Sequence, residues 1–196
     1  MKHALPVGLA ALLLAGAALA QSSAPPAAPQ RIASPAAPVS SRPELSVLPR
    51  ARLIGQARLT VWGFDIYDAR LWASAPFSAA SFAASALALE LNYLRNFQAI
   101  DIAERSLKEM RRSQPVSDAQ AARWTADLLR VIPDVRKGDR ITAVHRPGLG
   151  MAFWVNGRSS GEVLDADFAR LFFGIWLSPD TSEPRMREAL LAGSGE

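Results

Sequence analysis

The segment VWGFDIYDARLW, residues 61–72, constrains the fold most, because it predicts a strand with apolar side chains on both faces. Trp62 and Phe64 would point to one face of this strand, and Val61 and Tyr67 to the other. A strand with one face in water alternates more cleanly between apolar and polar residues. The sheet that contains this segment must therefore be covered on both faces.

Strand patterns and helix patterns follow one another in groups along the chain. Residues 45–73 predict two or three strands with breaks near Pro49 and at Gly55, and residues 86–95 predict another strand. Runs of strands and runs of helices in one chain indicate an α+β fold, with helices on one face of the sheet and a small second sheet or a ligand on the other. The later segments predict a helix at 99–113, a helix at 117–133, a strand at 139–146, a hairpin at 150–164 with its turn at the Asn-Gly pair 156–157, and helices at 165–177 and 184–193.

The N-terminal segment predicts an export signal followed by a tether. Residues 1–20 join a short basic start to an apolar run that ends in Ala-Leu-Ala, so we expect a signal peptide cleaved after Ala20. A membrane anchor is the alternative, but the run is short and contains Pro6. Residues 21–43 are rich in Ala, Pro and Ser and predict a disordered tether, which leaves 44–193 as the folded domain. We expect a periplasmic protein with no membrane span after cleavage.

The composition narrows the chemistry that this domain could perform. The sequence has no Cys, and beyond the signal segment its one His is His145, which we expect at the surface. Disulfides, thiol nucleophiles and Cys/His metal sites are excluded, and without a glycine-rich phosphate loop we expect neither a metal nor a cofactor. The 22 Lys and Arg, against 18 Asp and Glu, are scattered along the chain, so we expect no nucleic-acid partner.

Several phrases of the domain resemble the chalcone isomerase superfamily, most closely its bacterial branch of exported chalcone isomerase-like proteins. Together they cover nearly all of residues 45–192. The resemblance implies an open-faced β-sandwich, in which a large antiparallel sheet has a helical layer on one face and a few short strands on the other. The phrases are GFDIYDARLW at 63–72, LELNYLR at 89–95, IAERSLKEM at 102–110, PDVRKGDRIT at 133–142, NG followed by G at 156–161, and FARLFFGIWLSPDTS at 168–182.

The resemblance also implies a ligand cleft between the sheet and the helices. In the plant enzymes a strand Arg, together with Tyr, Asn and Thr groups, binds and cyclises a chalcone, and in the fatty-acid-binding branch an Arg and a Tyr hold a carboxylate. The matching strands of this chain offer Arg50, Arg52 and Arg58. An ungapped placement on Tyr67 favours Arg50, whereas the hairpin placement favours Arg58.

The plant-type catalytic set is incomplete in this chain. The helix at 99–113, which should supply the catalytic Tyr and Asn, contains neither, and its nearest polar residues are Ser106, Lys108 and Glu109. The position of the expected Thr falls near Ala166. The resemblance therefore implies ligand binding more than chalcone isomerase chemistry.

Two pairs of strand residues are candidate polar contacts for such a ligand. Arg58 and Thr60 share a predicted face with Trp62, where the guanidinium would clamp an anion at one end of an apolar slot. The alternative is an Arg on an edge strand in solvent. Tyr93 and Arg95 share a face of the next strand, where they would reach the cleft, or would lie at the sheet margin with Arg95 paired to a helix carboxylate.

Other charged and aromatic residues have structural alternatives. Phe172 and Trp176 would wall a hydrophobic ligand or simply belong to the core. We expect Asp65, Asp68 and Arg70 to be structural, with acid–base catalysis by the two carboxylates as the alternative.

Three functional hypotheses remain open at this point. The leading one is a protein that binds a small hydrophobic carboxylate or phenol, anchored by a strand Arg and shaped by Trp62, Tyr67, Tyr93 and the helix of Phe172 and Trp176. The second is an isomerase, an intramolecular lyase in which an Arg steadies an oxyanion. The third is a protein-interaction module whose cleft is filled by its own side chains.

Overall fold

The computed structural model describes residues 42–195, so that the predicted signal peptide and nearly all of the predicted tether lie outside the described residues. Within them, six strands form one antiparallel sheet, and each strand pairs with its neighbours in sequence order. The strands are β1 (Arg52–Val61), β2 (Phe64–Ala73), β3 (Leu87–Tyr93), β4 (Arg140–Arg146), β5 (Gly150–Val155) and β6 (Arg158–Val163). The helices are α1 (Ala99–Ser113), α2 (Asp118–Val131), α3 (Ala166–Leu177) and α4 (Pro184–Leu190), with 3₁₀ turns at Pro43–Val47 and Ala79–Ala84.

Two tight hairpins show where the strand predictions hold and where they fail. The Asn-Gly pair at 156–157 turns between β5 and β6 as predicted, with positive φ angles of 52° and 79°. Residues 61–72 are not one strand, because Trp62 and Gly63 form a second turn of this kind, with φ angles of 50° and 80°. A Trp at positive φ is uncommon, so the apolar residues around Trp62 predict a continuous strand and not a turn. Gly55, predicted as a break, lies inside β1.

Helices α2 and α3 begin where the sequence predicts because side chains cap their first turns. The Ser117 hydroxyl accepts a hydrogen bond from the Gln120 backbone N–H, and the Gln120 side chain accepts one from the Ser117 backbone N–H, which is a capping box. Asp165 accepts from the backbone N–H of Phe168 at 2.9 Å and so caps α3. Helix α4 ends earlier than predicted, since the chain beyond it turns so that the N–H of Gly193 donates to Ile54 at the edge of β1.

Both faces of the sheet are covered, as the apolar character of β1 and β2 requires. The helices pack on one face, called here the helical face, and this confirms the predicted α+β fold with a large antiparallel sheet and one helical layer. On the opposite face, called here the back face, the 3₁₀ turn at Pro43–Val47 takes the place of the expected short strands. Arg42 and Pro43, assigned to the tether by the sequence, therefore belong to the folded unit. The apolar residues buried on the back face are Leu45, Leu48, Trp72, Ala88 and Val144.

A buried network of charges lies on the back face beside this small apolar cluster. The Glu90 carboxylate is 1% exposed and accepts hydrogen bonds from Arg42 and from Arg70 Nη1, the latter at 3.0 Å. Arg140 Nε lies 4.0 Å from the Glu90 carboxylate, and Arg140 Nη2 lies 3.1 Å from Oε1 of the buried Glu44. Burial alone would raise the pKa of Glu90, but the hydrogen bond and charge of Arg42, with help from Arg70 and Arg140, hold that pKa below its usual value. The back face is thus closed by a cluster of buried ion pairs around Glu90.

Candidate functional site

A cavity of about 360 Å³ lies between the helical face of the sheet and helices α1 and α3. Strands β1 to β4 form its floor, and α1, α3 and the residues just before α4 form its walls. Its volume falls in the range of small-molecule sites, which is about 300–1,000 Å³. The side chains that make most of its surface apolar include Leu59, Leu91, Ile102, Ile141, Phe172 and Ile175.

Two tyrosines of neighbouring strands stand in the wall of the cavity. Tyr67 on β2 and Tyr93 on β3 are register partners, and their rings meet edge to face with centroids 6.0 Å apart. The Trp176 indole N–H donates to the Tyr67 hydroxyl oxygen at 3.0 Å. Burial raises the pKa of both phenols above the ordinary value, even though the Trp176 hydrogen bond lowers that of Tyr67. Both hydroxyls are therefore neutral at physiological pH.

The charged residues that line the cavity, called here the rim, come from α1 and from the loop before α4. Asp101, Arg105 and Glu109 follow one another at four-residue spacing along α1, so they lie on one face of that helix. Arg105 Nη2 lies 2.8 Å from Glu109 Oε1. Glu183 reaches the rim from the loop before α4. Burial and the charge of Glu109 raise the pKa of Glu183, against a lowering by Arg105.

Comparison with known proteins identifies the family of this chain. The sequence profile of the family described as chalcone isomerase-like matches residues 52–192. The chain belongs to the chalcone isomerase-like family. Among solved structures, a fatty-acid binding protein of Arabidopsis thaliana matches with a TM-score of 0.55 and 14% sequence identity, over 72% of this chain and 86% of that chain. A sequence identity of 14% shows similarity of the fold alone. No curated protein sequence matches the chain.

Four of the predicted site residues of this chalcone isomerase-like protein lie in the cavity wall. They are Tyr67, Tyr93, Phe172 and Trp176. Both roles expected for Phe172 and Trp176 on α3 are present, because their side chains line the cavity and also pack in the core. The centroids of the two rings are 5.5 Å apart.

The predicted position at the cavity is wrong for Arg58 and Thr60. In the register of β1 and β2, Arg58 pairs with Asp68 and Leu59 pairs with Tyr67, so that Arg58 points to the back face and Leu59 to the cavity. Arg58 Nε donates to Asp68 at 2.6 Å and its Nη1 to Asp65 at 2.9 Å, while the Thr60 hydroxyl donates to Asp65 at 2.8 Å. The two Asp residues are structural partners of Arg58, as predicted for them.

Three further predicted contacts lie outside the cavity. Trp62 is 95% exposed at the tip of the β1–β2 hairpin, because the turn removes it from the strand face that was predicted for it. Arg50 is exposed in the turn before β1, at a φ of 52°. The Arg95 guanidinium lies 4.6 Å from the centroid of the Phe64 ring, a cation–π contact at the margin of the sheet.

Sequence reasoning missed the charged rim, although part of it had a signal. The four-residue spacing of Asp101, Arg105 and Glu109 on a helix that covers the sheet could have marked a charged row beside the apolar stripe. Glu183 had no such signal, because it precedes Pro184 in a loop whose path only the tertiary structure sets.

His145, predicted at the surface, is instead buried in the core beside Phe173. Its Nδ1 lies 2.8 Å from the Ser85 carbonyl oxygen, and burial lowers its pKa despite this hydrogen bond, so the ring is neutral. Among residues 42–195, no three His, Cys, Asp or Glu side chains are grouped as metal ligands would be. None of the helices in that part of the chain has the length and apolar character of a membrane span.

Proposed function

We propose that this chalcone isomerase-like protein binds a small hydrophobic molecule in the cavity between the sheet and helices α1 and α3. The observation that carries the proposal is the cavity itself, an apolar space of about 360 Å³ with a few polar groups gathered at one side. Sites for small molecules are commonly built this way, with apolar walls for affinity and a few polar groups for orientation. The similarity in fold to a plant fatty-acid binding protein supports the same proposal.

The isomerase hypothesis loses support from the placement of the strand arginine. That chemistry needs a cationic group to steady a developing oxyanion inside the cavity. Arg58 points to the back face and is held by Asp65 and Asp68. Helix α1, from which the resemblance leads us to expect the catalytic Tyr and Asn, contains neither and lines the cavity with Ser106 and Glu109. The interaction-module hypothesis expected the cleft to be filled by side chains, and the open cavity supports ligand binding over it.

A pair of matched variants on α1 tests the proposal. Ile102 lines the cavity, whereas Ile100, two residues earlier on the same helix, is 37% exposed and does not. Ile102→Trp should fill part of the cavity and weaken binding of an uncharged fluorescent probe such as N-phenylnaphthylamine by about tenfold or more, while Ile100→Trp leaves it unchanged. Equal binding by wild type and both variants, or no binding by any of them, would contradict the proposal.

Native mass spectrometry of the protein purified from its own cells tests the same proposal without a chosen probe. We expect a bound hydrophobic molecule that is released on denaturation and that is absent from the Ile102→Trp variant. A mass equal to that of the chain alone, unchanged after incubation with fatty acids and phenols, would instead favour the interaction module.

We propose in addition that the protein is exported to the periplasm. The proposal rests on the signal-like residues 1–20 alone. Cell fractionation followed by N-terminal sequencing tests it, with a periplasmic protein that begins at Gln21 as the expected result. A chain that retains Met1 in the cytoplasm would refute it.

A further inference from the structure

The charge of the cavity rim bears on the kind of polar group that a ligand could place there. Among the described residues, the charged side chains that line the cavity are Asp101, Arg105, Glu109 and Glu183. Three of these are acidic and one is basic, so the rim is net negative when all are ionised. A carboxylate at this rim would meet more repulsion than attraction.

The one cation of the rim is already engaged by an acidic neighbour. Arg105 Nη2 lies 2.8 Å from Glu109 Oε1, and the Arg105 side chain is 61% exposed whereas that of Glu109 is 8% exposed. The other carboxylate oxygen of Glu109 is covered and has no hydrogen-bond partner among the described residues, and Arg112 Nε lies 3.7 Å from it. A ligand anion at Arg105 would compete with Glu109 for the same guanidinium and would stand close to the negative charge of that buried carboxylate.

The two tyrosine hydroxyls that line the cavity are uncharged. Tyr93 is 5% exposed, and no hydrogen bond joins its hydroxyl to any described residue. The Tyr67 oxygen accepts from Trp176, which leaves the Tyr67 proton free to donate. Neutral hydroxyls of this kind orient an uncharged oxygen or nitrogen without supplying the positive charge that a buried carboxylate needs.

We propose that the cavity selects hydrophobic molecules whose polar end is a hydrogen-bond donor, uncharged or cationic, and that it disfavours carboxylates. This inference rests on the proposed function, since it names the ligand class of the same cavity. The donor would be received by the carboxylates of Glu109 and Glu183 and by the tyrosine oxygens. Burial raises the pKa of Glu183 by more than the charge of Arg105 lowers it, so Arg105 compensates this carboxylate only in part.

Three ligands with the same alkyl chain and different polar ends test the selectivity. Dodecanol, dodecylamine and dodecanoate would be titrated at pH 7, below the concentrations at which they form micelles, against the protein loaded with N-phenylnaphthylamine. We expect dodecanol and protonated dodecylamine to displace the probe at concentrations on the order of tenfold lower than dodecanoate. Equal or stronger displacement by dodecanoate would overturn the inference and leave the proposed function standing.

A matched pair of variants links the selectivity to the rim. Glu183→Gln removes one acidic charge and should narrow the gap between dodecanoate and dodecylamine several-fold, whereas Glu188→Gln, on the exposed side of α4, should keep the wild-type ratio. Circular dichroism would verify that both variants are folded. An unchanged ratio in Glu183→Gln would overturn the role of the rim. Failure of all three ligands to displace the probe, or of the probe to bind, would refute the proposed function itself.

Discussion

Replacing Glu90 by Gln should destabilise the protein more than any comparable change at the surface. Glu90 is the shared acceptor of the back-face network, where it receives Arg42 and Arg70 and lies within 4.0 Å of Arg140. Gln is nearly the same size, so the change removes a charge and leaves the packing in place. The guanidiniums would then remain in a largely buried place with less negative charge to balance them.

The expected size of the effect follows from the burial of these groups. Removing one partner of a buried ion pair typically costs about 3–5 kcal/mol, because the other charge is left uncompensated. Arg140 keeps its contact with Glu44 at 3.1 Å, and the side chains of Arg70 and Arg140 retain partial access to water. We therefore expect a loss near the lower end, about 3 kcal/mol of the free energy of unfolding.

Urea unfolding followed by circular dichroism measures this loss against a matched control. Glu162 pairs with Arg146 at 2.8 Å, but the two side chains are 42% and 37% exposed, so Glu162→Gln should cost less than about 1 kcal/mol. The midpoint for Glu90→Gln should fall with little change in the slope of the unfolding curve. If both variants lose the same small amount, the back-face network does not stabilise the fold and the reasoning is refuted.

The same network predicts a direction of pH dependence. The pKa of Glu90 is lower in the folded protein than in the unfolded chain, so its ionised form contributes stability above the unfolded pKa of about 4.3. That contribution is lost as the pH falls through the folded pKa. The difference in stability between wild type and Glu90→Gln should therefore shrink below about pH 4, and a constant difference across this range would contradict it.

Three other changes test the fold and the rim. Gly55→Ala should destabilise the protein by about 1–3 kcal/mol in thermal unfolding, because a Cβ there meets backbone carbonyls of α4. Gly174→Ala in α3 has room for the added methyl group and should stabilise the protein by about 0.5–1 kcal/mol. The opposite order of stability would be inconsistent with the packing. Asp165→Ala should cost about 1–2 kcal/mol in urea unfolding through the lost α3 cap, with a further loss because the buried Trp124 indole N–H loses its acceptor. The exposed Asp167→Ala should cost much less. The pKa of Glu183 is raised on folding, so ionisation of Glu183 destabilises the folded state at pH values above the pKa of the unfolded chain. The melting temperature of Glu183→Gln relative to wild type should therefore rise between about pH 4 and pH 7. A difference that stays flat or falls would count against a desolvated carboxylate at this position.

The elements that depend on local signals could be predicted from the sequence. The helix at 99–113 has a clear apolar stripe, Ser117 and Asp165 cap their helices within one turn, and the Asn-Gly pair at 156–157 fixes a hairpin. Each of these signals operates over a few residues, so no tertiary information is needed to interpret it.

The face of the sheet to which each strand residue points could not be predicted in the same way. Adjacent strand positions point to opposite faces, so an unrecognised turn at Trp62 and Gly63 and a register shift between Leu59 and Thr60 change which residues reach the cavity. The prediction that Arg58 reaches the cavity assumes that Arg58 and Trp62 belong to one continuous strand and therefore point to the same face. Contacts such as that of Arg42 with Glu90, 48 residues apart, have no local signal at all.

The closure of the β1 edge by the C-terminal residues has a consequence for how the chain is made. β1 precedes the other described strands in the chain, yet its backbone at Gly55 lies against the Ala189 and Leu190 carbonyls, and Ile54 accepts a hydrogen bond from the N–H of Gly193. Synthesis proceeds from the N-terminus, so this contact cannot form until Gly193 has been added, long after β1 itself. An uncovered strand edge is a template for pairing with other chains. Chains that end prematurely, before Gly193, should therefore self-associate, and not merely unfold more easily.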